Sequence, residues 1–570
     1  MNINSMRIKI FLIIIPLLVV AVFSVESLDK IISEYNKNNI HSSWSPLLNI
    51  SVSQCINKKI PTLGDIDKGN FSSYINNSNG RFWLATERNI LAAIDDLKPD
   101  GGTVWLPGNT TFSLTEGLKI DKNHGCDNIQ LIGAGNSTIL RLNDSVGNEH
   151  VIYIENHNNI LISNLQIDGN QVNNPTATDG NGVLMWKSSF VTIRNCEIKN
   201  TVKIAIHAHY RSNNVTVENC YIHDLRAIVG SYHGGICFRG DYCIARNNRI
   251  ENTWATGITL EGPGSPPYID NASHCLIEGN IITGNNNTDV KNIGTAHGIH
   301  CEPRQSNNIT IVNNSIYNLN STAYLASESH YSKGILVSDD CIISNNIIDV
   351  IEKLGIHIII IGDKSTCKII GNTVKNINGH GIYGDESWDG YVIVSDNIIV
   401  NCSEHAIRKC HVANGNIISY ASSGIMQTYG ASGNIISHCE NGINSCLNIV
   451  GNTIYNCNGS DYNGIAITTS IYNFPGDYKG VSIVGNSIYN ISGPETHGIN
   501  LIGADNVTIL GNIIDNKGNG VYGILLQSTS YNCSVIGNTI SGNTYRDIYK
   551  TINSSNNIIT LNRLNSSIFT

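Results

Sequence analysis

Ionisable side chains recur at two positions of a strand motif in which a small residue is followed by Ile or Val, as in TGITLEG (256–262) and HGIHCE (297–302). If the Ile or Val points inward, the residues one and three places later point outward, because side chains alternate along a strand. Those positions hold imidazole, guanidinium, carboxylate and phenol groups, which can move protons and bind anionic sugars. The candidates are Trp186, His207, His209, Arg239, Glu261, His300, Glu302, His357, Tyr383, Asp385 and Arg408.

Two reactions of a uronic acid residue fit these groups: β-elimination and C5-epimerisation. Both remove the proton next to a carboxylate, so they need a cation for the carboxylate, a base and a second proton donor. We expect Arg239 to pair with the substrate carboxylate. The base would be His300 or His209, and the proton donor would be Tyr383 or His357.

Four further side chains of this set are expected to bind the polysaccharide rather than to react with it. His207, Asp385 and Arg408 offer polar contacts, and Trp186 offers a ring on which a sugar can stack.

Glu261 and Glu302 have two further interpretations. Their oxygen atoms are ligands of the kind that Ca²⁺ prefers, so calcium is the one cofactor that the sequence suggests. The same two carboxylates leave glycoside hydrolysis open, since adjacent coils could hold them at a separation suited to either stereochemical outcome. No Cys-x-x-Cys pair and no local Cys/His spacing suggests zinc.

A second motif explains how such strands are stacked. VTIRNCEI (191–198) returns as VTVENCYI (215–222), ITIVNNSI (309–316), VSIVGNSI (481–488) and VTILGNII (507–514), among about sixteen copies between residues 160 and 565. A repeat of alternating β-branched residues at intervals of this size is typical of a β-solenoid. We therefore predict an all-β fold, a single-stranded right-handed parallel β-helix with a short N-terminal capping helix.

Two columns inside the repeat predict its turns. The first holds only Gly, Asn and Asp, such as Asn247, Gly279 and Asp396, which tolerate a left-handed backbone. The next column is mostly Asn. Stacked coils lie about 4.8 Å apart, so these amides should hydrogen-bond along the stack as one ladder. Its predicted members include Asn248, Asn280, Asn314 and Asn346.

The sixteen cysteines have two possible fates. An exported chain favours disulfides, and neighbouring coils put Cys196 near Cys220 and Cys243 near Cys275. However, Cys243 and Cys275 occupy an inward column that elsewhere holds Val or Ile, and so do Cys341 and Cys367. A buried Cys behaves as a small apolar residue, so core thiols are the favoured interpretation.

The first residues predict export. Arg7 and Lys9 precede an apolar run that is short for a membrane-spanning helix, so residues 1–27 are expected to be a signal peptide or a short membrane anchor. Any membrane association would come from this segment alone. The location would be extracellular or at the cell surface, where the many Asn-x-Ser/Thr triplets could carry glycans. The net charge of −9 without a basic cluster argues against nucleic acid as a partner.

Residues 28–80 lack the repeat and are predicted to be a polar N-terminal extension, followed by the β-helix over 81–570 (cap 81–118, coils 119–570). Within the cap, AAIDDLKPDGGTVWLPGNTTF (92–112) indicates a helix, a Gly-Gly turn and a strand. This opening and the later coils resemble the pectate-lyase-like superfamily. That resemblance implies a right-handed parallel β-helix, and its members include polysaccharide lyases, hydrolases, C5-epimerases and non-catalytic surface proteins.

The favoured hypothesis is therefore an exported protein that acts on an acidic polysaccharide by β-elimination or C5-epimerisation. The alternatives are a non-catalytic surface protein, such as an adhesin or a glycan-binding module, and a glycoside hydrolase. Long insertions at 262–274, 285–296 and 320–332 would line the groove that any of the three needs.

Overall fold

A computed structural model divides the chain into two units, residues 1–71 and 72–570. It describes residues 74–77, 80–84, 90–225, 233–253, 256–262, 272–287, 297–302, 307–321, 332–338, 340–359, 365–384, 390–458, 465–470, 480–493, 496–527, 530–551 and 554–565. The predicted signal peptide or anchor, most of the predicted extension and most of the three insertions lie outside these ranges. Within them, no helix has the length and apolar character needed to cross a membrane.

The described chain coils into a parallel β-helix with three faces, and each strand pairs with the strands one coil before and one coil after it. An antiparallel pair, Tyr74–Asn77 with Gly80–Leu84, leads into the first face. The first face then contains Gly102–Trp105, Ile129–Ile132, Leu161–Ser163, Thr192–Arg194, Thr216–Glu218, Ile244–Arg246, Leu276–Glu278, Ile309–Val312, Cys341–Ser344, Thr366–Ile370, Tyr391–Ser395, Val412–Asn414, Ser482–Val484, Thr508–Leu510, Ser534–Ile536 and Ile558–Thr560.

The second face follows the Asn column of each coil. It contains Thr110–Leu114, Thr138–Leu142, Gln166–Asp168, Glu197–Lys199, Tyr221–His223, Arg249–Glu251, Ile281–Asn287, Ser315–Ser321, Ile347–Ile351, Thr373–Ile377, Ile435–Ser437, Thr453–Tyr455, Ser487–Tyr489 and Arg563–Leu564. Five longer strands bend around a corner and contribute to more than one face. They are Ile398–Arg408, Ile417–Ser432, Asn441–Val450, Ile513–Gln527 and Thr539–Lys550.

The third face is built from the strands that begin with a small residue and Ile or Val. It contains Leu118–Ile120, Ile152–Glu155, Val183–Trp186, Ile206–His209, His233–Phe238, Thr256–Leu260, His297–Cys301, Lys333–Ser338, Leu354–Ile359, His380–Gly384, Ile465–Ser470 and His497–Ile502. The core of the coil lies inside the three faces. On this face it is reached by a column of fully buried Ile side chains, such as Ile258, Ile299 and Ile356.

The small residue before each of these Ile residues is required by the closeness of the next coil. A Cβ atom added at Gly355 would lie 2.5 Å from the backbone oxygen of Gly381 and 2.7 Å from a methyl group of Val374. A Cβ atom at Gly298 would lie 2.6 Å from the backbone oxygen of Gly334. Both separations are well below a van der Waals contact, so the column accepts only very small residues.

The predicted Asn ladder is confirmed. Asn248, Asn280, Asn314 and Asn346 are buried, and each donates a hydrogen bond of 2.9 Å from Nδ2 to Oδ1 of the next Asn. The same Oδ1 atoms also accept the backbone N–H of the preceding Asn, at 2.9–3.0 Å. The ladder then continues through Asn372, Asn397, Asn416, Asn434, Asn452, Asn486, Asn512, Asn538 and Asn562.

The cysteines of the described residues are buried free thiols, which confirms the core interpretation. Cys341 and Cys367 pair in register on adjacent coils, and their Sγ atoms lie 3.1 Å apart. Cys196 and Cys220, as well as Cys243 and Cys275, are also free rather than bridged.

A short α-helix, Ile90–Asp95, precedes the first long coil, as predicted for the cap. Ile90, Ala93 and Ile94 are buried and belong to the same hydrophobic core as the coils. The helix therefore covers apolar side chains that the end of a solenoid would otherwise expose.

Candidate functional site

The third face carries the candidate side chains in two columns, because its strands pair without a shift at these positions. In the first column the register partners are, in order, His207, Cys237, Thr259, His300, Leu336, His357, Tyr383 and Arg408. The second column begins with Trp186 paired to His209. Backbone hydrogen bonds of 2.8–2.9 Å then place Arg239, Glu261 and Glu302 on successive coils. For these residues the predicted order on the face is therefore confirmed.

One group of side chains, which we call the lower cluster, surrounds the guanidinium of Arg239. This cation forms an ion pair with Glu261, and its Nη1 atom lies 2.7 Å from Nε2 of His209. The ring of His209 in turn stacks on Trp186, with centroids 4.5 Å apart and planes inclined by 9°. The members of the lower cluster are Trp186, His207, His209, Cys237, Arg239 and Glu261.

Burial sets the charges in the lower cluster. It lowers the pKa of His209 to about 4, and the positive charge of Arg239 acts in the same direction, so the ring is neutral at pH 7. Burial, and then the carboxylate of Glu261, raise the pKa of the Cys237 thiol well above its usual range. The cluster thus combines one firm ion pair with a neutral imidazole and a protonated thiol.

Three members of the lower cluster could hold a metal ion together. One ligand atom each of His207, Cys237 and Glu261 lies within 4.8 Å of the other two, and all three residues are buried. Sulfur, nitrogen and oxygen are a mixed ligand set, whereas Ca²⁺ prefers a shell of oxygen atoms. The calcium ion expected at Glu261 and Glu302 stays a prediction.

A second group, the upper cluster, lies several coils further along the same face. Its members are His357, His380, Tyr383, Glu404, His405 and Arg408. The ring of Tyr383 lies 5.3 Å from that of His357 and 5.1 Å from that of His380, and the guanidinium of Arg408 lies 5.6 Å from its centre. His380 also contacts Glu404 at 3.1 Å and Arg408 at 3.2 Å through Nε2.

The imidazoles of the upper cluster are neutral at pH 7. Burial lowers the pKa of His357 to about 3, with smaller contributions from the charges of Lys333 and His380. Burial also lowers the pKa of His380 to about 4, against the opposing effect of Glu404. Neither ring nitrogen of His357 has a hydrogen-bond partner among the described residues. Such a buried polar group is costly unless something else binds it.

The structure does not bring the predicted catalytic residues into one cluster. Arg239 and Tyr383 are separated by five coils, about 24 Å at the usual strand spacing, so they cannot act on the same sugar residue. His300 and Glu302 lie between the clusters, and both are half-buried. The ring of His300 packs edge-on against that of His297 at 5.2 Å. Asp385 lies outside the described residues.

Two details of this face depart from strict alternation of side chains. Cys410 stands two places after Arg408, where alternation would point it outward, but it is fully buried, because the strand ends at Arg408 and the alternation ends with it. Taking Ile465 as the inward residue of its strand would make Ala466 the partner of Asn444. The partner is Thr468, because Ile467 takes the inward position beside Ile443.

The position of His380 and His405 just before the small residue of the strand motif favours turn residues, but the two rings stack at 5.0 Å and belong to the upper cluster. Each of these histidines precedes the small residue of its strand, Gly381 or Ala406, and in the sequence this indicated only a tight backbone. The stacking and the contact of His380 with Arg408 join neighbouring coils, and sequence spacing does not show them. For the same reason the sequence did not indicate that Cys237 lies close enough to His207 and Glu261 to share a metal ion with them.

Comparisons with known proteins agree with this architecture. A family model described as a right handed beta helix region matches residues 108–265 and 150–407, which together span more than half of the chain. Alginate lyase 7 of Azotobacter vinelandii is 32% identical over 152 residues, which are 24% of this chain and 17% of that protein. The chain therefore matches less than a fifth of the length of this curated relative.

Similar solved structures include the A-module of a mannuronan C-5 epimerase from Azotobacter vinelandii, at 14% identity and a TM-score of 0.28, covering 84% of this chain and 94% of that chain. Another is PfbA, a surface adhesin of Streptococcus pneumoniae, at 16% identity and a TM-score of 0.35, covering 65% of this chain and 88% of that chain. A third is an exopolygalacturonase from Thermotoga maritima, at 13% identity and a TM-score of 0.29, covering 62% of this chain and 83% of that chain.

Proposed function

The chain belongs to the family of proteins with a right-handed β-helix region, and we propose that it acts on an acidic, uronate-containing polysaccharide by β-elimination or C5-epimerisation. The observation that carries this proposal is the register of His357, Tyr383 and Arg408 on three successive coils. An imidazole, a phenol and a guanidinium on one face are the three kinds of group that this proton chemistry needs.

In this proposal Arg408 binds the substrate carboxylate and stabilises the negative charge that develops when the adjacent C5 proton leaves. The neutral ring of His357 can accept that proton, because the low pKa leaves a nitrogen lone pair at pH 7. A bound carboxylate would favour the protonated ring and so strengthen the base. Tyr383 then gives a proton to the leaving oxygen in elimination, or back to C5 from the opposite side in epimerisation.

The length of the face supports a polymer as substrate. The column from His207 to Arg408 crosses seven coil steps, about 34 Å at the usual spacing, and carries ionisable groups near both ends. A small molecule would occupy only a fraction of this length. The short similarity to an alginate lyase makes alginate the first substrate to test. The apolar run near the N-terminus supports export, which gives access to extracellular polysaccharides.

The test is to incubate the purified protein with alginate and polygalacturonate in parallel. Elimination produces unsaturated chain ends that absorb in the ultraviolet, and epimerisation in heavy water places deuterium at C5 without breaking the chain. Either result supports the proposal. New reducing ends without ultraviolet absorption would instead show hydrolysis, and binding without any product would show a glycan-binding protein.

A specific groove favours glycan binding as the second candidate function. It has a volume of about 500 Å³ and is lined by Tyr420, His438, Glu440 and Asn456, among others. Tyr420 is 56% exposed and stacks on His438 at 4.9 Å, which holds the ring as a fixed apolar surface beside polar groups. If this groove binds sugars, Tyr420→Ala should weaken polysaccharide binding and leave any turnover at saturating substrate unchanged.

A further inference from the structure

We propose that His207, Cys237 and Glu261 form a binding site for Zn²⁺ on the third face of the β-helix. This inference does not depend on the reaction proposed above, which uses the upper cluster. It rests on the position of the three side chains, on their burial and on the chemistry of their ligand atoms.

The coil geometry brings the three residues together although 24 to 30 residues of chain separate neighbouring members. His207 and Cys237 are register partners on adjacent strands. Thr259 is the register partner of Cys237, and Glu261 follows two residues later on the same side of the strand. Cys237 is thus the middle residue of the group, and its Sγ atom lies 3.7 Å from Oε2 of Glu261.

The separations are close to those of a zinc site. One ligand atom of each residue lies within 4.8 Å of the other two. In a tetrahedral zinc site, with bonds of about 2.0–2.3 Å, neighbouring ligand atoms lie about 3.4–3.6 Å apart. Side-chain rotations would have to close the difference, and the backbone needs no shift of coils because the strands that carry the ligands are already paired.

The ligand types favour zinc over the other common divalent cations. A thiolate, an imidazole nitrogen and a carboxylate oxygen form the mixed set that Zn²⁺ accepts, while Ca²⁺ and Mg²⁺ are held mainly by oxygen. Zn²⁺ would replace the proton of the Cys237 thiol and release it to solvent. The thiolate and the Glu261 carboxylate then carry two negative charges beside the two positive charges of Zn²⁺ and the one of Arg239, which remains the second partner of Glu261.

Three protein ligands leave one position of a tetrahedral zinc ion open. This is the arrangement of zinc sites that bind water or substrate, whereas purely structural sites use four protein ligands. Two of the ligands, His207 and Cys237, belong to the first column of the third face, which further along holds His357 and Tyr383, and Glu261 belongs to the second column. An oxygen atom of a polysaccharide, from a hydroxyl or a carboxylate group, is the kind of ligand that would complete it.

The experiment is to strip the full chain of metal with a chelator and to titrate it with Zn²⁺, with Co²⁺ as a spectroscopic substitute. We expect one tight Zn²⁺ per chain by elemental analysis. With Co²⁺ we expect a thiolate charge-transfer band in the near ultraviolet and intense visible bands of tetrahedral geometry. Cys237→Ser should abolish the charge-transfer band and weaken binding by at least about 100-fold, since losing a ligand exceeds the effect of losing a neighbour of a ligand.

Cys275→Ala is the matched control, because it removes a buried thiol of the core that is not a ligand. It should keep both the stoichiometry and the spectrum. If Cys237→Ser does not fold by circular dichroism, Glu261→Gln replaces it, because this change preserves the side-chain volume. The proposal is overturned if the unaltered chain binds no Zn²⁺ tightly, or if a folded ligand variant binds it as tightly as the unaltered chain does.

Discussion

The Nδ2 atom of Asn314 donates a 2.9 Å hydrogen bond to Oδ1 of Asn346, and the backbone N–H of Asn314 donates to the same oxygen at 2.9 Å. Asn346 in turn donates to Asn372 and to the backbone oxygen of Ile311. The side chain of Asn346 therefore satisfies buried polar groups on the coil before it and on the coil after it. An inward amide at this position does not interrupt the core but joins its layers.

Replacing Asn346 by Ala should destabilise the fold by about 3 kcal/mol or more. The change leaves several buried donors and acceptors without partners, and each costs about 1–3 kcal/mol. Chemical unfolding would measure the loss. Asn345→Gly is the matched control, because Asn345 has a φ of 55° and other coils place Gly at this position. It should change the unfolding free energy by less than about 0.5 kcal/mol. Equal losses in both variants would show that the ladder adds nothing.

The core thiols should resist labelling in the native protein. All cysteines of the described residues are buried, and burial also raises the pKa of thiols such as Cys402 and Cys446 to about 12. A Cys55→Ser variant removes the one cysteine outside the described residues. In that variant, a thiol reagent should react at least about 100-fold faster in denaturant than in buffer. Fast native labelling of Cys243 or Cys341, identified by mass spectrometry, would contradict the burial.

Acid should destabilise the fold through His357. Its pKa is about 3 in the folded chain and about 6.5 when unfolded, so the unfolded state binds more protons between these values. The stabilisation is fully present above pH 6.5 and is lost as the pH falls towards 3, amounting to about 2 kcal/mol by pH 5.

His357→Gln should therefore reduce the loss of stability between pH 7 and pH 5 by about this amount. Urea unfolding of both proteins at several pH values checks it. Parallel pH profiles for the two proteins would show that the ring already carries a proton in the folded state, or that it is not buried.

Tyr383→Phe should lower turnover of the polyuronate substrate by roughly 100-fold or more, because it removes only the phenolic proton. The ring contacts with His357 and Arg408 do not need the hydroxyl group, so the thermal unfolding temperature should stay within a few degrees. Tyr455→Phe, on the second face, is the control and should retain activity. Full activity of the Tyr383 variant would show that Tyr383 is not the proton donor.

The sequence predicts the coils, the turn column and the order of side chains on the third face, because each coil repeats one buried Ile that fixes which neighbours point outward. Among the described residues, this alternation fails where two residues could take the inward position and where a strand ends. Ile465 and Ile467 both fit the pattern, and Cys410 follows the last residue of its strand.

The contacts between side chains on the third face could not be predicted from the sequence. Repeat spacing places Arg239 and Glu261 on adjacent coils, but their ion pair and the stacking of Trp186 on His209 depend on side-chain torsions. Residues of the lower cluster that lie on successive coils are more than 20 residues apart in the chain, so no local motif marks them.

The Asn ladder allows the length of chain between coils to change while the contacts between coils stay the same. Successive rungs are 18 residues apart between Asn416 and Asn434 but 34 apart between Asn452 and Asn486, yet the amide hydrogen bonds stay at 2.8–2.9 Å. Chain length between rungs can therefore nearly double without altering the rungs themselves. Evolution, or a protein engineer, can lengthen and rewrite the loops that border the third face while the scaffold keeps its dimensions.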